Sequence, residues 1–273
     1  MSLWRAARKV LAFFWRDFAI ARGYRGALVL EALEALFGVA TFFYLSRFVD
    51  SPQLSGALPG GSNYFAFALV GFAFFDYLSV SLSAFDASLE EARQNRTLEA
   101  LLVTQTSLSV ILAGSAVYPF AALALRTCVY LAWGAMLFGF APHAANWTGA
   151  VLVLMASILA FTGLGILSAS YTLLFKRGNP AKWIVLGVSS LVGGMMYPVT
   201  ILPHSLQILA RLIPITYSLE GMRAALLGGA GWNELWPSLV ALLLFAAILI
   251  PASFMVFAWA LHRTKITGTL THI

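Results

Sequence analysis

The sequence predicts an all-α polytopic membrane protein with six transmembrane helices, an N-terminal interfacial amphipathic helix, and a re-entrant outer segment between spans five and six. Three observations carry that expectation. Of the 273 residues 60% are hydrophobic and only 10% charged, with a mean hydropathy of +0.85. A soluble domain instead holds about 45–50% apolar and about 25% charged residues. The apolar residues also fall in runs long enough to cross a hydrocarbon core about 30 Å thick, which takes about 20 residues of helix. Finally, Lys and Arg crowd into alternate connections, as they do on the cytoplasmic side of a bilayer.

Residues 1–25 form the leader. Over 3–18, at 100° per residue, Leu3, Ala7, Leu11, Phe14 and Phe18 gather on one side, with Arg5, Lys9 and Arg16 opposite. That pattern suits a helix lying in the interface; the plainer alternative is a polar leader that happens to be amphipathic. The apolar run after Lys9 is too short for the core of a cleavable signal peptide, since Arg16 and Asp17 interrupt it.

Six spans follow, over 27–49, 63–86, 108–140, 149–175, 182–200 and 236–262. None alternates polar and apolar residues, so helices fit and barrel strands do not. The third is longer than a straight crossing needs and contains Pro119, which points to a kink or a tilt. Residues 1–273 read as a single transmembrane domain, without repeats or a low-complexity linker. Arg5, Arg8, Lys9, Arg16, Arg22 and Arg25 precede the first span. Arg93 and Arg96 lie in the second connection, Lys176, Arg177 and Lys182 in the fourth, and Arg263 and Lys265 in the tail. Arg47, Arg211 and Arg223 fall on the other side, so both termini are expected in the cytoplasm. The net charge of +6 suits anionic lipid heads rather than nucleic acid.

The second connection, 88–107, concentrates charge in an otherwise greasy chain. Ser88 and Glu91 have capping-box spacing, which predicts a helix starting at Ser88. Glu90 and Arg93 are three apart, as are Arg96 and Glu99, so each pair shares a helix face. Leu98, Leu101 and Leu102 add a short apolar stripe. Two uses suit such a helix: a solvated joint between spans, or a docking element that passes motion from a cytoplasmic partner into them.

Residues 201–229 are apolar enough to span, but Pro203 and Pro214 break the run. A full crossing would also carry Arg263 and Lys265 to the outside. A dip into the outer leaflet and back satisfies both constraints, with Glu220 and Arg223 spaced to pair. Either an outer gate or a cap that seals the top would look like this.

Asp76, Arg126, Glu31 and Glu34 lie inside predicted spans, where a central charge costs at least about 2.5–3.5 kcal/mol. Asp76 and Arg126 fall at similar depth and are expected to approach one another, as a pair that fixes helix register or as a polar patch on a substrate path. Glu31 and Glu34, shallower, are expected to meet the basic leader or a cytoplasmic connection. Phe13, Phe14, Trp15, Phe42, Phe43 and Tyr44 suit an interfacial belt. Phe72, Phe74, Phe75 and Tyr77 sit deeper, either packed or lining a path. Cys128 is the only cysteine, so no intrachain disulfide forms.

No lysine stands in the Gly-Lys-Ser/Thr context of a P-loop. His143, His204, His262 and His272 lack metal-ligand spacing, and no Ser-His-Asp or Cys-His cluster can be drawn. The chain is therefore not expected to be an enzyme by itself, nor to bind a cofactor.

The stretch EEARQNRTLEALLVTQTS, residues 90–107, resembles that of ABC-2 type transporter permeases, in which acidic residues precede a Gly-Thr-Leu-Glu element, a Leu pair and a Thr-Pro-x-Ser element. Thr97, Leu98, Glu99, Leu101, Leu102, Thr104 and Ser107 match; Arg96 and Gln105 stand where Gly and Pro are common. Residues 195–229 resemble the family's segment after the fifth span through Pro198, Pro203, Pro214, Thr216, Tyr217, Glu220 and Arg223. The resemblance implies the permease subunit of an exporter in the bacterial inner membrane, working as a homodimer or with a paralogue. It further implies that 88–107 docks into two copies of a separate ATPase, which would carry the ATP and Mg, and that 201–229 forms short re-entrant helices at the outer face. An amphiphile, a drug-like compound or a lipid-linked glycan would be the substrate. The competing readings are a membrane scaffold or assembly protein without a transport path, and an ion-coupled transporter. The latter would want paired inverted halves that the sequence does not display.

Overall fold

The computed structural model describes residues 3–23, 25–49, 58, 62–94, 108–142, 145–175 and 179–266. Among them are nine α-helices and no strand: α1 Leu3–Gly23, α2 Arg25–Val49, α3 Tyr64–Gln94, α4 Leu108–Phe138, α5 Trp147–Phe175, α6 Pro180–Val192, α7 His204–Arg211, α8 Pro214–Leu226 and α9 Trp232–Ile266. A 3-10 turn, Val199–Ile201, separates α6 from α7. Within the described residues α2, α3, α4, α5 and α9 are each long and apolar enough to cross a membrane. The protein is thus an all-α, multi-pass membrane protein.

Lipid tails are as apolar as leucine, so no hydrophobic effect drives helices together in lipid, and helix pairs depend on close packing and on small residues at their contacts. α5 shows this directly. Its buried positions include Gly149, Ala150, Ala156, Ser157, Ala160, Gly163, Gly165, Ser168, Ala169 and Ser170. Against it pack α9, α3 and α8. α3 is the most enclosed of the spanning helices, with 72% of its apolar window buried against 22% for α2, α4 and α9. Phe65, Phe67, Leu69, Tyr77 and Leu78 of α3 fill the main core together with Tyr130 and Phe161. α4 lies against α3 and α2, and α1 lies against α4.

The leader helix runs to Gly23, longer than the 3–18 the sequence pattern marks. Its Phe14 ring meets Tyr118 of α4 at 6.1 Å, while Leu11, Trp15, Phe18 and Ile20 stay exposed. An apolar face left open beside an apolar bundle suits a helix at the membrane boundary.

The fifth expected span differs most from its sequence reading. Residues 182–200 do not make one helix: α6 stops at Val192 after 13 residues, about 20 Å. Gly193 ends it, and Gly194, at φ 83°, turns the chain in a conformation that side chains with a Cβ disfavour. Hydropathy saw only an apolar run there. The ends of this segment nevertheless lie at two well-separated levels of α3: Asn179 bonds Asp86, and the Gly194 and Met195 carbonyls share a cation with that of Phe67. From Phe67 to Asp86 is a run of roughly 28 Å along α3, at 1.5 Å per residue.

Candidate functional site

The charged connection starts as a continuation of a spanning helix. α3 runs unbroken through Ser88 to Gln94, so no helix begins at Ser88 and the capping-box expectation is corrected. The reason is that the helix is already formed when it reaches Ser88: the amides there have carbonyl partners one turn earlier and need no cap. Glu90 is half-buried on the last turns of α3. Glu91 and Arg93 lie on the same helix, and nothing is described of their side chains. Arg96, Thr97, Leu98, Glu99, Leu101 and Leu102 lie outside the described residues, as do Thr104 and Ser107.

Residues 201–229, expected as the outer segment, contain two short helices meeting at a corner, each opened by a proline. Pro203 precedes α7, and Pro214 is the first residue of α8, where its missing N–H costs nothing. Thr216 Oγ1 donates to the Ala210 carbonyl at 2.7 Å, which fixes that corner. Tyr217 Oη donates to the Arg211 carbonyl at 3.2 Å. The expected Glu220–Arg223 pair is corrected. Glu220 instead accepts from Arg211 at 2.6 Å, on the surface.

Arg223 turns inward and is only 3% exposed. Its Nε donates to the Phe67 carbonyl at 3.2 Å, Nη1 to that of Gly194 at 2.6 Å and Nη2 to that of Met195 at 2.7 Å. The guanidinium also lies 3.4 Å over the Phe67 ring. A planar cation with a fork of donors is the residue type that can tie three carbonyls from two segments. The backbone comes close here because residue 71 is glycine: a methyl at that position would overlap the Met195 carbonyl oxygen and the Arg223 side chain. Arg223 is a lock between α8, α3 and the bend after α6.

The charges within the spans form a cluster with unexpected partners. Arg126 pairs with Glu34 at 2.9 Å, and Asp76 accepts from Tyr130 Oη at 3.2 Å. Arg126 also lies over the Tyr130 ring at 5.5 Å. Arg126 and Asp76 thus approach one another as expected, with Tyr130 standing between them as the bridge. Arg126 sits one helical turn before Tyr130 on α4, so its side chain reaches across to α2 more easily than past the tyrosine ring to α3. Glu34 meets α4 rather than the leader or a cytoplasmic connection, which corrects that expectation. Glu31, one turn earlier on α2, is exposed. The Glu34 side chain is 70% exposed and that of Arg126 29%, so the pair lies at the rim of the bundle. The deeper rings are packed: Phe74 and Tyr77 are buried in a parallel pair, and Phe72 fits between Phe42 and Tyr130. Cys128 is exposed on α4.

One polar cluster escaped the sequence reading. Asp86, Ser168 and Asn179 are all buried, on α3, α5 and just before α6. Asp86 Oδ2 accepts from Ser168 Oγ at 2.9 Å and from Asn179 Nδ2 at 3.0 Å. Asn179 Oδ1 meanwhile accepts the Lys182 amide at 3.0 Å, capping α6. Its signal was faint: an Asp, a Ser and an Asn far apart in sequence, each ordinary alone. Only the Asn-Pro pair at 179–180 marks a helix start.

The family model described as ABC-2 type transporter matches residues 8–227. Curated relatives include the inner membrane transport permease YadH of Escherichia coli strain K12, and proteins of the same name from Escherichia coli O157:H7 and Shigella flexneri. Each is 27% identical over 169 residues, 62% of this chain and 65% of the relative's own length. The match therefore spans just under two thirds of those proteins.

Proposed function

The chain belongs to the ABC-2 type transporter family, which makes it a transmembrane transporter subunit, and from that premise we propose how it works. It is the permease of an exporter whose ATP hydrolysis takes place on a separate ATPase. Two ATPase copies dock on the charged connection of two permease copies, and both termini of each permease face the cytoplasm of a bacterial inner membrane. The segment from Asn179 to Met195 makes the fifth of six crossings. The substrate is an amphiphile, drug-like or glycan-bearing on a lipid, reached through the apolar flank of the bundle.

The observation that supports this most is the continuity of α3. One helix carries the buried core residues Phe65, Phe67, Leu69, Phe74 and Tyr77 and, without interruption, the acidic-basic stretch to Gln94. A displacement applied at its charged end is carried to the core because a helix is stiff along its axis. ATP-driven closure of the docked subunits would then shift the bundle between two packed arrangements.

The test is co-purification. The permease, tagged and extracted gently from membranes of its host, is expected to bring down an ATPase. The Arg93→Glu/Arg96→Glu variant should release it while the permease still elutes as a single species. ATPase turnover of the complex against a panel of a lipid, a lipid-linked glycan and amphiphilic drugs then reads the substrate class. A permease that purifies without any ATPase, in a stable monodisperse form, would overturn the reading.

A further inference from the structure

α6 is held in an unusual way. Of its residues only Ser189 and Val192 are buried, while Trp183, Ile184 and Leu191 are exposed. Its side-chain packing is confined to one face: Val185 and Leu186 rest against the main core, and Val188 and Val192 against Val199 and Ala210. Its two ends are in addition held by polar contacts, both involving α3. At the outer end, Arg223 bonds the Gly194 and Met195 carbonyls and, with the same guanidinium, that of Phe67. At the other end, Asn179 reaches Asp86.

That second clasp is dense. Asn179 Nδ2 lies within reach of Asp86 Oδ2, the Ser168 carbonyl at 3.0 Å, Ser168 Oγ at 2.8 Å and Thr172 Oγ1 at 3.2 Å, so its two hydrogens are shared. Ser168 Oγ has one hydrogen, which either the Leu82 carbonyl or Asp86 accepts. Lys182 Nζ reaches Ser83 Oγ, one turn from Asp86, at 3.4 Å. Such a network favours the arrangement that pairs most of its polar groups, with only Asp86 Oδ1 among these carboxylate and amide atoms left unpaired. Asp86 is also only two turns of α3 before Gln94, where the charged connection leaves the helix.

Resting on the exporter reading above, we propose that Asp86 and Asn179 are positioning residues that join the ATPase-docking end of α3 to α6, so that α6 relays its displacement to α7 and α8. The clasp makes α6 follow α3 at its base, and the Arg223 lock carries that motion to the outer helices. One-sided packing lets α6 shift as a rod together with the two ends that hold it.

The test uses the permease–ATPase complex in lipid vesicles, carrying Cys128→Ser and a reporter Ser205→Cys on the exposed face of α7. The rate at which a membrane-impermeant maleimide labels the reporter is measured without nucleotide, with ATP, and with ATP trapped by vanadate. In the parent, trapping should change that rate severalfold. In Asn179→Ala the change should vanish, while ATPase turnover and co-elution with the ATPase stay within about twofold. The swap Asp86→Asn/Asn179→Asp keeps the amide–carboxylate bond between the two positions and a good helix cap, loses the bond to the Ser168 carbonyl, and should restore part of the nucleotide-dependent change. An Asn179→Ala complex that labels and responds like the parent overturns the clasp alone. So does a swap that folds and hydrolyses ATP but stays unresponsive. A parent complex whose labelling ignores nucleotide sinks the exporter reading together with this one.

Discussion

Replacing Arg223 with methionine keeps much of the side-chain volume and removes every donor from the lock. Phe67 lies inside α3, so its carbonyl retains a helical partner. Gly194 and Met195 lie in the bend and lose theirs. A buried acceptor left unpaired costs about 1–3 kcal/mol, which gives about 2–6 kcal/mol for the two. Against this, the variant no longer buries a cation, a penalty that the parent bears and that offsets part of the loss. A net destabilisation of roughly 2–4 kcal/mol remains, and at this chain length it should lower the melting temperature by roughly 5–15 °C. Fluorescence-detected size exclusion of detergent-solubilised protein after stepped heating measures it. Arg223→Lys should fall between parent and methionine, since one ammonium cannot fork to all three carbonyls. If Arg223→Met melts within about 2 °C of the parent while Arg223→Ala does not, packing of the side chain rather than its hydrogen bonds holds the segment, and the reasoning fails.

Two further expectations use the same melting assay. Arg211→Ala removes an ion pair whose partners are 47% and 38% exposed, so a change of less than about 1 kcal/mol is expected; a shift as large as that of Arg223→Met would refute the distinction between the two arginines. Arg126→Met leaves Glu34 and Asp76 without their cation at the bundle rim and should destabilise more than the double variant Arg126→Met/Glu34→Gln, which removes a stranded charge as well. Strictly additive effects in that cycle would show that Arg126 and Glu34 do not interact.

The long apolar helices were legible because in lipid the hydrophobic run is the structure: 149–175 lies within α5, and 63–86 starts one residue before α3, which continues to Gln94. Prolines 203 and 214 marked the breaks of the outer segment because their effect is local and steric. Three features were not legible, for different physical reasons. The end of α6 was hidden because Gly193, Gly194 and Met195 are apolar by composition while bending by conformation. The Glu220–Arg223 pairing failed because spacing gives which residues share a face and says nothing of which face is buried. Flanking Met222, Ala224 and Ala225 were the available hint that Arg223 looks inward. The Asp86–Asn179 contact joins residues 93 positions apart, and no local rule reaches that far.

At 31 residues α3 is about 46 Å long, some 16 Å more than the hydrocarbon it crosses. On the exporter reading proposed above, the surplus is a lever arm at the charged end of the helix, beyond the hydrocarbon. A pivot near its centre would turn a tilt of only 10° into a sweep of roughly 4 Å at either tip, for a rod of these dimensions. On that reading small rotations at the charged tip would be exchanged for ångström-scale displacements at the other end, with no residue in between needing to change its own conformation.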